Sequence, residues 1–103
     1  MGALHRRWWH SFEEDHDGIE VYRPDGFDFP PARGRGGIEF RDDGTAVEWT
    51  SGRADAPEAY EGTWQPEADG ESLEVATTGG RPRSVRVVHV DAHRLEIRTG
   101  QRP

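Results

Sequence analysis

Apolar and polar residues alternate at every second position along most of this chain, in short runs separated by turn residues. That pattern predicts half-buried β-strands rather than amphipathic helices. In "GIEVYR" Ile19 and Val21 share a face, in "GIEFR" Ile38 and Phe40, and in "TAVEW" Val47 and Trp49. Glu20, Glu39 and Glu48 occupy the intervening positions and are expected to face solvent. Downstream, Tyr60, Gly62 and Trp64 share a parity, as do Leu73 with Val75 and Leu95 with Ile97. The Asp-Gly pairs in "DDGT" and "EADGES" predict tight hairpins because both residues tolerate positive φ, and "TTGGRP" carries a similar signal. In "HVDAH" a hairpin turn over Asp91 and Ala92 would bring His89 and His93 together.

Two stretches depart from the pattern. "RSVRVVHV" has Val85 and Val87 on one parity and Val88 and Val90 on the other, which predicts a β-bulge near Val87. "RPDGFDFPPARGRGG" is too rich in proline and glycine for a central strand and reads as the one long connection. The opening "RRWWHSFEED" reads either as a helix or as a strand. A helix would place Arg6 and Arg7 at its positive end and Glu13, Glu14 and Asp15 at its negative end, against the macrodipole. The strand reading is therefore preferred: it puts Trp8, His10 and Phe12 on the inner face and leaves Trp9 outside. The expected architecture is all-β, a small antiparallel up-and-down meander of about eight strands closing into a barrel or half-barrel that hides its edges.

Length and composition narrow the picture. A chain of 103 residues accommodates one small domain, so residues 1–103 are read as a single barrel. Only 32% of the residues are hydrophobic, so the core must rest on four Trp, two Tyr and four Phe. With no cysteine there is no disulfide framework and no thiol nucleophile, which fits the reducing cytoplasm. The absence of lysine removes Schiff-base chemistry. A net charge of −7 argues against nucleic-acid partners, despite the single "ARGRGG". No apolar run is long enough to span a membrane as a helix, so no membrane association is expected.

The run "IEFRDDGTAVEWTSG…YEGTWQPEADGESLEV" resembles the second half of small bacterial lipocalin-like (calycin-type) domains: strand, DG hairpin, strand, Gly-x-Trp strand, and a strand ending in Leu-x-Val. The likeness covers Ile38 to about Val75 and continues more loosely to Ile97. Two departures stand out: Gly62-Thr63-Trp64 lies mid-chain, whereas the family's Gly-x-Trp opens its first strand, and the chain is short for a lipocalin. The resemblance implies a barrel whose mouth receives a small apolar or aromatic molecule. An eight-stranded barrel has room either for its own side chains or for one small ligand. The bulky inward candidates Trp8, Phe12, Phe40, Trp49, Tyr60 and Trp64 make both outcomes open.

Three functional classes follow. The leading one is a noncatalytic module binding a small apolar molecule, with Trp9, Phe27, Phe29, Arg33 and Arg35 around the mouth. Arg33 or Arg35 would pair with the acidic N-terminal segment or with an anionic group on the ligand. The second is a solid-core domain that contacts a protein partner through Trp9 and "FDFPP". The third is a small enzyme using a shielded carboxylate or histidine, with Glu14 and His10 as the catalytic candidates. No metal site is expected from the dispersed histidines, and no cofactor is implied.

Overall fold

The computed structural model describes residues 4–31, 35–51, 57–78 and 82–99. Its strands are β1 (Arg7–His10), β2 (Glu20–Pro24), β3 (Gly37–Phe40), β4 (Thr45–Ser51), β5 (Pro57–Pro66), β6 (Ser72–Thr77), β7 (Arg83–Val90) and β8 (Leu95–Thr99). They close into a barrel in the order β1-β2-β8-β7-β6-β5-β4-β3. Every neighbouring pair is antiparallel, so strands alternate up and down around the wall. β3 to β8 form an uninterrupted meander. β1 sits between β2 and β3, which therefore run parallel to each other. The chain leaving β2 must return along the barrel before starting β3, and this explains why residues 25–36 form the long connection.

Three turns at one end follow the expected chemistry. Asp43 Oδ1 accepts from Thr45 N, and Gly44 takes φ 90°. Asp69 Oδ1 accepts from Glu71 N and Ser72 N, and Gly70 takes φ 74°. Asp91 Oδ1 accepts from His93 N and Arg94 N. A short acceptor two residues before the return of the chain thus closes each hairpin. The turn expected over "TTGGRP" falls largely on residues 79–81, outside the described residues.

Residues directly opposite one another in an antiparallel ladder share a face, so the register assigns each side chain to the interior or the outer wall. Trp8 opposes Ile38, Ile38 opposes Glu48, and Glu48 opposes Tyr60. Phe40 opposes Ala46, and Ala46 opposes Gly62. Trp64 opposes Val75, which opposes Arg83, and Ile97 opposes both Val87 and Glu20. Leu4, Trp8, Phe40, Leu73, Val75, Val85 and Leu95 are buried in one cluster and fill the centre. Trp8 is anchored by its indole N–H, which donates to Leu4 O at 3.1 Å.

This register corrects several expectations. Glu20 and Glu48 face inward, and Val21, Val47 and Trp49 take the outer face. Val21 stays buried because the 3-10 turn Phe12–Glu14 packs against β2, and Asp15 Oδ1 accepts from Val21 N at 2.9 Å. Trp49 is half-buried on the wall, beneath the Arg7 guanidinium at 4.5 Å and against Trp9 at 5.4 Å. Phe12 is not core: β1 ends at His10, and the 3-10 turn carries the Phe12 ring outward to 46% exposure. Within that turn Ser11 Oγ donates to Glu14 Oε2 at 2.7 Å, which holds the bend that ends the strand.

Candidate ligand site at the barrel mouth

The inner surface is divided along the barrel axis. At the end carrying the three Asp turns it is apolar, and there a cleft of about 390 Å³ opens between the β5–β6 hairpin and β7. Trp64, Pro66, Leu73, Val87 and Val90 supply its apolar walls, and Glu71, Ser72 and His89 reach its edge. The volume lies at the small end of the range for ligand pockets. The Trp64 ring is fixed by donation from its indole N–H to Arg41 O at 2.8 Å and by an edge contact with Phe40 at 5.6 Å.

A mismatch between neighbouring strands creates the cleft. β6 pairs with β7 only from Ser72–Arg86 to Val75–Arg83, while β7 continues to Val90. Beyond that ladder the hydrogen bond from Val87 N to Glu71 O, at 2.9 Å, is the remaining backbone link between the two sides among the described residues. The register of β7 on β8 shifts between Val87 and His89, the bulge expected from "RSVRVVHV". The bulge leaves Val88 46% exposed and returns Val90 to the inner face. Bulges next to sites of this kind re-aim side chains, and here the irregular valine parity was the one sequence signal that pointed to the cleft.

At the opposite end the interior is ionic. Arg83 Nη2 lies 2.8 Å from Glu48 Oε2, and Thr77 Oγ1 donates to Glu48 Oε1 at 2.9 Å. Tyr22 donates to Glu20 Oε1 at 3.1 Å and stacks on His10 at 4.9 Å. Burial, reinforced by the charge of Glu20, pushes the Tyr22 hydroxyl well above its ordinary pKa. Burial disfavours the Arg83 cation, but the hydrogen bond and charge of Glu48 outweigh it and leave the pKa raised. Simple alternation gave no hint of this cluster, because Glu20 and Glu48 each lie between apolar neighbours that take the opposite face.

Those of the residues singled out from sequence that are described gather around the long connection, and none of these lines the apolar cleft. Trp9 is on the outer wall with its indole N–H donating to Asp25 Oδ1 at 2.8 Å. Phe27 and Phe29 pack edge to face at 4.8 Å, with Arg23 over Phe27 at 4.9 Å. Arg35 lies between Phe12 and Phe29, at 4.7 and 4.3 Å from their ring centres. Its guanidinium donates to both Glu13 oxygens, at 2.9 and 2.8 Å, and to His10 O and Pro30 O. Arg35 thus forms the pair with the acidic segment and acts as a clasp over β1. Arg33 lies outside the described residues.

The catalytic candidates take a different geometry from that expected. Glu14 is gripped by Arg23 through two hydrogen bonds of 2.8 and 2.7 Å and also accepts from Ser11. The Arg23 hydrogen bonds hold its pKa down to about 2, the reverse of the raised value an acid catalyst would need. His10 contacts Asp15 at 2.9 Å rather than Glu14. His89 pairs with Asp91 at 2.7 Å, and that hydrogen bond together with the His93 and Arg94 backbone N–H groups lowers the Asp91 pKa to about 2. No helix among the described residues is long and apolar enough to cross a membrane. Comparison with known protein families, curated proteins and solved structures yields no match for this chain.

Proposed function

We propose that this barrel is a noncatalytic, lipocalin-like cytoplasmic module that binds a small apolar or aromatic molecule at its mouth. The observation that carries the reading is the cleft of about 390 Å³ walled by Trp64, Pro66, Leu73, Val87 and Val90. An apolar concavity of this size with few polar groups at its rim is the usual form of a small-ligand pocket. The filled centre around Trp8 and Phe40 limits the ligand to the mouth.

The reading is tested with a neutral probe, octan-1-ol, titrated while tryptophan emission is followed. Saturable binding is expected, with the emission change lost in Trp64→Phe. Val87→Phe, which narrows the cleft, weakens binding by about tenfold, the factor that corresponds to ~1.4 kcal/mol. Its urea unfolding curve shows that the variant is folded. Absence of saturable binding to the wild-type protein refutes the reading and leaves the solid-core interaction domain in its place.

A further inference from the structure

The ligand chemistry can be narrowed from the outer side of the same gap. Immediately outside the cleft, a polar groove of about 500 Å³ is lined by Glu71, Arg86, Val87, Val88 and Arg98. Glu71, Val87 and Val88 line both spaces, so groove and cleft adjoin at the end of the β6–β7 ladder. Arg86 and Arg98 are directly opposed across the β7–β8 ladder and share the outer face. Two like charges in that position repel unless an anion joins them. Glu71 meets Arg86 at 2.6 Å, with both side chains more than half exposed. The polar contact of Arg98 among the described residues is a long one, 3.5 Å to Asp17 O.

From this juxtaposition we infer that the ligand is an amphiphilic monoanion. Its apolar body enters sideways between β6 and β7 and rests on Trp64, Leu73, Val87 and Val90. Its carboxylate, or another head group of the same charge and hydrogen-bonding capacity, stays outside on Arg86 and Arg98. Paired guanidinium groups match such a head group geometrically as well as electrostatically. Access is through the wall at the bulge, where β7 has outrun its β6 partner, rather than along the barrel axis. Glu71 occupies Arg86 in the free protein and yields it when the anion arrives. The inference rests on the proposed cleft and adds the charge of the ligand and its route.

Three probes with the same hydrocarbon tail test it: octanoate, octan-1-ol and octylammonium, each titrated against the wild-type protein and three variants. Octanoate binds about tenfold more tightly than octan-1-ol, as charge-assisted hydrogen bonds warrant. Arg98→Gln and Arg86→Gln each reduce that preference. Glu71→Gln, which releases Arg86, widens the preference for octanoate over octan-1-ol. Equal binding of octanoate and octan-1-ol, or tightest binding of octylammonium, overturns the anionic assignment while the cleft reading stands. Failure of all three probes overturns both. An Arg98→Gln variant that loses every probe equally also counts against the assignment, because it marks Arg98 as structural.

Discussion

Removing the Glu48 charge tests whether the register has placed an ion pair inside the barrel. Glu48→Gln keeps the shape and an acceptor for Thr77 but leaves the Arg83 guanidinium with a neutral partner. Breaking a fully buried pair costs about 3–5 kcal/mol, and an exposed pair contributes about 0–1 kcal/mol. Glu48 is 18% exposed and Arg83 38%, so the pair lies between these limits and the expected cost is about 2 kcal/mol. Arg83→Leu is more damaging, because Arg83 also faces Glu20 and its removal leaves two inward carboxylates without a cation. The double replacement Glu48→Leu with Arg83→Leu is far milder than the sum. Its new side chains meet Ile38, Tyr60 and Val75 across the ladder, and apolar substitution of a buried pair is often neutral or stabilising. Urea unfolding followed by tryptophan emission measures all three. With a denaturant slope of about 1–3 kcal/mol per molar, the Glu48→Gln midpoint falls by roughly 1 M. A Glu48→Gln midpoint within error of wild type, or a double variant as unstable as the two singles combined, would place Glu48 on the outside and reject the inward register.

Two further outcomes follow from the geometry. The folded Glu14 pKa, about 2, lies below its unfolded value near 4.5, so the Arg23 pair stabilises the fold above pH 4.5 and its contribution fades as the pH falls toward 2. Discounted for solvent screening, its contribution is about 1 kcal/mol, and Arg23→Gln should flatten the unfolding midpoint against pH across that window; an unchanged slope contradicts the pairing. Gly62→Ala is expected to cost at least 1–3 kcal/mol, as overpacking does, because its Cβ would fall against Ala76 O and 2.6 Å from Thr77 Cα. Those are backbone atoms, so no rotamer change relieves the clash; a thermal midpoint equal to that of wild type would show that β5 and β6 are spaced differently.

The local parts of this fold were legible because their causes are local. Asp43-Gly44 and Asp69-Gly70 carry both the side-chain acceptor and the positive φ that a tight turn needs. The valine run of β7 contains its own parity break, and the bulge appears there. The proline- and glycine-rich segment had to be a connection, whatever it connected. The cleft was less legible, because it depends on where β6 stops relative to β7, and strand ends are not written in alternation. Trp9 and Arg35, legible in the sequence as aromatic and cationic side chains near the connection, hydrogen-bond within the chain, to Asp25 and Glu13, partners that lie far from them in sequence.

By itself, the chain determined that it would form short twisted strands with two distinguishable faces, joined by Asp-Gly hairpins and one long crossing. Both properties follow from the period of the backbone and from residue-level φ preferences. Tertiary structure alone decided which face of each strand looked inward. In β4, Ala46 and Glu48 compete with Val47 and Trp49, and the outcome rests on pairing Ala46 with Phe40 on one side and Gly62 on the other. A one-residue shift exchanges every side chain between core and wall. The ionic end, the apolar mouth and the paired arginines outside it are therefore properties of the closed barrel, set by a register that spans residues far apart in sequence.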